Sequence, residues 1–525
     1  MVKGREKSDG SVLPRRARKS PSAASRRQGK GATASKQVEQ LGLFCETADS
    51  PQGDVARADV GLPTPAISAR RAVPKSQTTK SHALPAMTMD EIANERNLYE
   101  AFRRVASNRG APGPDGQTID MVREHLDALV PALRAELLGG SFRPGNIRRV
   151  WIPKSGGGQR GLGIPDVVDR MVQQAVHQVL SPFYETVFHP SSHGFRVGRS
   201  CATAIGQAAG YVEEGYTMVV DIDLKDFFNR VHHQRLLARL SQGIGDERVI
   251  NTIRRMLQAG VVLPDGVLLS TLEGAPQGGP LSPLLSNIVL DELDWELDRR
   301  GHKFVRYADD CNIYVRSERS GERVMSSICQ FINKRLRLEV NTEKSAVARP
   351  SDRHFLGFSI GADAQGLGTE INLSQRSKKR LATRVRSLTA RNRGQSLDTI
   401  IEDVNRYLRG WIGFFAICTK AASRTLSNTD AHIRRRLRAT LLKQWRRRPS
   451  IVKRLIRLGI RAPRAWRTIY KPRRGLWAMS HLPAVDKALR NAYFANRGLL
   501  SLEALWKARQ SKQIKAPKQL ALLLG

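Results

Sequence analysis

Two β-prone runs, Phe304–Tyr307 and Asn312–Val315, flank a pair of adjacent aspartates, Asp309 and Asp310. The pattern predicts a strand, a tight turn carrying both carboxylates, and a strand returning beside the first. Adjacent like charges resist joint ionisation unless a cation lies between them or water covers them. Taken alone, the stretch also fits a solvated acidic turn. A second run upstream, Val219-Val220-Asp221-Ile222-Asp223, narrows the choice. Side chains alternate across a strand, so Asp221 and Asp223 share one face while Val220 and Ile222 share the other. If the two elements are neighbours in one sheet, carboxylates from both converge on one point. That is the outline of a divalent-metal site.

Charge sets the partner class. The chain has 525 residues, with 87 Lys and Arg against 48 Asp and Glu, a formal balance of +39. A protein this basic faces a polyanion, nucleic acid first and an anionic membrane surface second. No apolar run approaches the roughly 18–20 residues of a spanning helix, so no membrane partner is expected. The N-terminus lacks the uncharged apolar core of a secretory signal. Five scattered cysteines offer neither a disulfide framework nor a zinc knuckle, and read as reduced thiols of a cytoplasmic protein.

The length allows roughly two to four domains. Residues 1–86 are rich in Ser, Ala, Arg, Lys, Gln and Pro with no sustained apolar period, and read as a disordered basic extension. Order begins near Thr88, where Ile92, Leu98, Phe102 and Val105 recur at helical spacing. A turn-rich loop, Gly110–Gly116, precedes one helix over about Ile119–Leu138. A hairpin follows, Ile147–Ile152 and Gly161–Ile164 about a glycine turn, flanked by Lys154 and Arg160. Those two charges are either a fingertip that grips triphosphate or backbone, or solvated residues on an exposed hairpin. A helix over about Asp166–Phe188 comes next. The Gly274–Pro280 loop carries little side-chain bulk, and leads into a helix with Ser282 as N-cap and Pro283 in its first turn. A helix over Val324–Leu336 and strands near Leu338–Val340 and Phe355–Ile360 complete the unit. Helices interleave with hairpins, so the fold class is α+β, an antiparallel sheet backed by helices, and not a doubly wound sheet.

Beyond about residue 374 the character changes to amphipathic helices loaded with one sign of charge. Arg380 and Arg384 lie on the first. Arg434, Arg435 and Arg438 lie on a later one, which runs into Arg446 and Arg447. One-signed charge repeated on successive helices and interleaved with tryptophans points to phosphate binding.

Asp223, Asp309 and Asp310 form the carboxylate set that nucleotidyl transfer uses with two Mg²⁺ ions. Phe228, five residues after Asp223, would lie under an incoming sugar and block a 2′-hydroxyl, or else simply fill the core. At this point the residues resemble a known family. Tyr307-Ala308-Asp309-Asp310 is similar to the catalytic signature of reverse transcriptases. With Asp223–Phe228, Pro276–Pro283, Phe355–Phe358, Gly110–Gly116 and Ile152–Arg170, it resembles the ordered blocks of bacterial group II intron reverse transcriptases. Residues 374–460, with Tyr407-Leu408-Arg409-Gly410-Trp411, resemble the thumb and maturase domain of the same proteins.

The resemblance implies a right-hand polymerase, with fingers and an antiparallel palm over 87–365 and a helical thumb and all-α maturase region over 374–460. A basic helical segment follows over 461–525. It implies RNA-templated DNA synthesis and help with splicing and mobility of the parent intron. Intron RNA, an RNA template, a DNA primer, target DNA and dNTPs would be the partners. By position, Asp223, Asp309 and Asp310 would be catalytic and would hold two Mg²⁺ together with the Leu224 carbonyl. Lys154 and Arg160 would meet the triphosphate, Gln277 would line the nucleotide pocket, and Phe228 would gate the sugar. No HNH endonuclease pattern of histidine and paired cysteines is found, so the resemblance is to the compact class. The implied location is the bacterial cytoplasm, at the nucleoid when on DNA. The sequence leaves the oligomeric state open. Three alternatives stay open as well: a splicing factor with little polymerase activity, a domesticated defence or CRISPR-associated reverse transcriptase, and a D-x-D glycosyltransferase, which would leave the charge unexplained.

Overall fold

A computed structural model describes residues 87–153, 157–271, 273–363, 368–470 and 475–511. The extension expected over 1–86 and Lys154 of the fingertip lie outside the described residues. Among the described residues there are ten strands: β1 (Ile147–Pro153), β2 (Gln159–Ile164), β3 (Met218–Ile222), β4 (Val261–Val262), β5 (Leu268–Leu269), β6 (Lys303–Tyr307), β7 (Asp310–Val315), β8 (Ala346–Ala348), β9 (Phe358–Ala362) and β10 (Thr369–Leu373). They form a sheet in the order β2-β1-β4-β5, a central sheet in the order β6-β7-β3-β8, and the pair β10-β9.

The central sheet is antiparallel throughout, as the α+β reading expects. Its alternation is resolved into two cores. Val220, Ile222, Phe304, Cys311, Ile313 and Val315 face one, shared with the helices of the first half, Val167–Val187 and Ser282–Arg299 among them. Val219, Val305, Tyr307 and Tyr314 face the other, shared with the C-terminal helices. Apolar groups on both faces explain why these strands read as nearly continuous hydrophobic runs. Each buried Val or Ile contributes about 1.5–3 kcal/mol.

Sequence order survives in most elements and fails in a few. The expected 119–138 helix is two helices, Ile119–Glu124 and Leu126–Leu138, because His125 leaves helical geometry at φ −112°, ψ 11°. The Val324–Leu336 helix starts earlier, as Glu318–Phe331, and ends in a π-turn over Ile332–Leu336. Leu338–Val340 is no strand; Val340 makes one isolated bridge to Leu224, and the strand on that edge is β8. Phe355 begins a turn, not a strand, because Leu356 (φ 50°) and Gly357 (φ 94°) adopt left-handed geometry before β9. Ser282 does not cap its helix. Its hydroxyl donates to the Pro276 carbonyl at 2.6 Å and closes the glycine-rich loop onto the helix, while Leu281 takes the cap position.

The C-terminal region is helical. Gln375–Leu388, Leu397–Phe415, Ser423–Gln444, Arg448–Arg457 and Ala462–Tyr470 are its main helices. The second is tied to β9 by aromatic packing: Phe358 lies 5.7 Å from Phe414 and 5.2 Å from Phe415, and Trp411 stacks on Phe415 at 4.4 Å. Among the described residues no helix is long and apolar enough to cross a membrane.

Candidate active site

β3 pairs with β7 in antiparallel register, Met218 opposite Val315 and Ile222 opposite Cys311. One further step sets Asp223 opposite Asp310. Residues directly opposite share a face, with Cβ atoms about 4.5–5.5 Å apart. Asp309 lies in the two-residue turn between β6 and β7, beside them. The three carboxylates predicted from separate stretches therefore lie toward one end of the central sheet, near enough for Asp223 to act electrostatically on both Asp309 and Asp310. Asp221 lies on the same face, but Arg353 Nε and Nη2 donate to its Oδ2 at 2.8 and 2.6 Å, so its charge is already met.

The backbone contributes as well. Asn341 N–H donates to the Asp223 carbonyl, and Lys225 N–H to the Glu339 carbonyl, both at 2.8 Å. Those bonds point toward the β8 edge. Alternation then turns the Leu224 carbonyl the other way, toward β7 and the aspartate turn. Lys344 Nζ approaches Asp223 Oδ1 at 3.5 Å.

The electrostatics fit a cation. Asp310 opens to solvent on one side but is closed in by protein on the others. Desolvation first, then the charges of Asp309, Asp221 and Asp223, push its pKa up to about 8. Burial also raises Asp309, with Asp223 adding to the rise while its own N–H and the Arg160 and Arg306 charges oppose it. Hard oxygen donors that repel each other are the donor set a divalent ion requires. Among the described residues no three or more His, Cys, Asp or Glu side chains are gathered closely enough to hold a metal ion as they stand. Mg²⁺ keeps several waters and needs few carboxylates, so an open arrangement suits it.

The predicted nucleotide residues converge only in part. Arg160 Nε donates to Gln277 Oε1 at 2.7 Å, which joins the fingertip hairpin to the glycine-rich loop. The Gln277 carbonyl accepts from Gly163 N–H, also at 2.7 Å. Gly278, at φ 127°, lies so close that an added Cβ would sit 2.3 Å from the Gly163 carbonyl oxygen. Phe228 is 8% exposed, edge-on to Phe227 at 5.3 Å, and its carbonyl accepts from Ala275 N–H. Most of its ring is core, and only an edge is left for a sugar. Of the basic residues expected to meet RNA, Arg380, Arg384, Arg446 and Arg447 are exposed and Arg434 and Arg435 half-buried. Arg438 is 6% exposed; its Nε donates to the Leu489 carbonyl and its guanidinium pairs with Asp486.

Sequence reasoning missed what holds the aspartate turn. Arg306, 0% exposed, uses all five of its N–H donors. Nε and Nη2 grip Asp294 at 2.7 and 2.5 Å, Nη1 reaches Asn287 Oδ1 and the Ala308 carbonyl at 2.9 Å each, and Nη2 reaches Ser192 Oγ at 2.7 Å. Ala308 sits at φ 56°, a position that glycine prefers, at a cost of about 1–2 kcal/mol. Behind it, a Cβ on Gly194 would lie 2.3 Å from the Ala308 nitrogen. The sequence signal was an arginine set between the apolar Val305 and the aromatic Tyr307 of β6.

Carboxylates from two antiparallel strands, faced by a basic hairpin and a glycine-rich loop, define a polymerase-type site. The matching family model is the reverse transcriptase (RNA-dependent DNA polymerase), over residues 152–360, and residues 378–457 match the group II intron maturase-specific domain. Protein YkfC of Escherichia coli (strain K12) is 34% identical over 50% of this chain and 80% of its own. The group II intron-encoded protein LtrA of Lactococcus lactis subsp. cremoris is 29% identical over 54% of this chain and 57% of its own. The putative COX1/OXI3 intron 2 protein of Saccharomyces cerevisiae is 26% identical over 54% of this chain and 40% of its own. The chain belongs to the family of group II intron-encoded reverse transcriptases and maturases, RNA-directed DNA polymerases with roles in intron splicing and mobility. It spans little more than half the length of LtrA.

Proposed function

We propose that this chain copies RNA into cDNA at the Asp223–Asp309–Asp310 site and grips intron RNA through its C-terminal helices to assist splicing and mobility. The register of β3 against β7 supports the reading, because its last pair, Ile222 with Cys311, leaves Asp223 and Asp310 as the next residues on the two strands, beside the turn that holds Asp309. Fingers and palm occupy 87–365 and the thumb and maturase region 374–460; the basic segment expected over 461–525 is described only over 461–470 and 475–511, and its remainder lies outside the described residues. Asp223, Asp309, Asp310 and the Leu224 carbonyl would hold two Mg²⁺ ions. When bound, these lower the pKa of the attacking 3′-hydroxyl and offset the charge on the leaving pyrophosphate. Arg160, with Lys154, meets the triphosphate of the dNTP; Gln277 orients the nucleotide and the edge of Phe228 disfavours a 2′-hydroxyl. The direct test is cDNA synthesis by purified protein given an RNA template, a DNA primer, dNTPs and Mg²⁺. A folded, RNA-binding protein that extends no primer refutes it.

The raised pKa of Asp310 has a sign that can be checked. In the folded chain it lies at about 8, against an ordinary 3.8, so the carboxyl holds a proton near neutral pH. Without a cation, the fold loses stability as pH rises through that window, because the carboxyl ionises at a cost in the folded state. A cation must expel the proton. Mg²⁺ affinity therefore rises with pH and levels off above about 8. Calorimetry in buffers of different ionisation enthalpy should show proton release near neutral pH that vanishes well above the pKa; equal release at both sinks the assignment.

The basic helices make a separate prediction. With six or more phosphate contacts, RNA affinity falls roughly a thousandfold between about 50 and 200 mM salt. A filter-binding titration that stays flat across that range would remove the phosphate grip from the proposal.

A further inference from the structure

A cleft of about 620 Å³ opens between the Ser423–Gln444 helix and the chain that follows it, around His481–Ala492. The volume is that of a ligand pocket. Its lining includes Arg434, Arg435, Arg438 and Arg490, with Asp486 as the one acid. That acid is spent on Arg438, whose Nε is held by the Leu489 carbonyl, so Arg438 builds the wall. Among the described residues neither Arg434 nor Arg490 has an ion-pair partner. Arg435 lies over the Trp477 ring at 4.1 Å, and the His432 ring meets the same tryptophan edge-on at 5.8 Å. Stacking fixes both side chains in place. Yet Arg435 Nε and His432 Nε2 are buried without a hydrogen-bond partner.

Buried polar atoms are normally satisfied, and like charges gathered in a cleft repel. The orphaned Arg435 Nε and His432 Nε2 lie beneath the cleft surface, but the three uncompensated guanidinium groups on its lining share one remedy, an anionic oxygen ligand. We infer that this cleft seats a phosphodiester of the bound RNA, an inference that rests on the reading of these helices as RNA-binding. The planar Arg435 fork, braced on Trp477, offers paired donors of phosphate geometry, and Arg434 and Arg490 supply charge at the rim. The cleft is thus a fixed socket, unlike the exposed Arg446 and Arg447, which meet phosphate only as mobile surface charges.

The test uses the full chain and a short single-stranded RNA, with DNA of the same sequence and a nucleoside monophosphate as competitors. Arg434→Gln/Arg490→Gln should weaken RNA binding about tenfold or more and make the salt slope shallower by about 1.4, two contacts at about 0.7 each. Arg435→Lys, which keeps the charge but loses the fork, should lower affinity with the slope retained, and stands in if the double variant melts early. Arg446→Gln/Arg447→Gln reports on the wider basic surface. If that pair weakens binding while the cleft variants match the parent protein, the socket is refuted and the wider reading stands. If neither pair matters and salt has no effect, the RNA-binding reading itself has failed. DNA that competes equally with RNA, or a mononucleotide that displaces RNA at comparable concentration, overturns the assignment to an RNA backbone.

Discussion

Asp309→Ala should abolish primer extension on an RNA template, by roughly a thousandfold or more, while RNA affinity stays near that of the parent chain. The carboxylate lies in the turn between β6 and β7 and not on the Arg-rich helices, so on the proposed reading its loss removes a metal ligand and no phosphate contact. Metal ions at a transferring phosphoryl group contribute several kcal/mol, and each 1.36 kcal/mol is about a tenfold change in rate. Asp309→Asn separates charge from shape, since it keeps the turn's hydrogen-bonding size but removes the anion. Both variants should fail alike in single-turnover extension. A folded Asp309→Ala protein that loses RNA binding in step with extension would mark the residue as structural.

The second large effect concerns the clamp behind that turn. Arg306→Met leaves Asp294 charged, fully buried and alone, and should cost about 3–5 kcal/mol of stability in denaturant titration. Removing both charges, Arg306→Met with Asp294→Leu, should return most of that stability, because a well-packed apolar pair often matches a buried ion pair. Extension should not return with it. The Ala308 carbonyl, Asn287 and Ser192 would still lack their donor, and the left-handed turn that aims Asp309 and Asp310 would be held by less. Loss of positioning by about an ångström costs up to about a hundredfold in rate. A double variant that is both stable and fully active would show that Arg306 serves the fold alone.

These two residues also show where the sequence could be read and where it could not. Asp309 announced itself, because two acids between β-prone runs form a local pattern and the upstream Asp223 strand repeats it. The β1–β2 hairpin and the amphipathic helices were legible for the same reason: period and turn chemistry lie within a dozen residues. Arg306 was not legible. An arginine is tolerated at 0% exposure only if its acceptors are waiting, and those acceptors come from residues 192, 287, 294 and 308. No local period encodes such a meeting. Nor could Arg438 be told apart from its exposed neighbours, since the pairing with Asp486 depends on how a later segment folds back. The strand misplaced at 338–340 failed differently: β8 is a short edge strand, Ala346–Ala348, held by its pairing with Val219, Val220 and Asp221 more than by β propensity of its own.

The central sheet has no free face, and that fixes how the chain can be divided. Val219, Val305, Tyr307 and Tyr314 are covered by a core whose other members reach as far along the chain as Trp506. Cutting after residue 365 to isolate a minimal catalytic half would bare that surface to water and leave it prone to clump with other copies. The tail proposed to handle RNA is therefore also the second wall of the catalytic room, and a smaller working enzyme would need a replacement for that wall before it could be made.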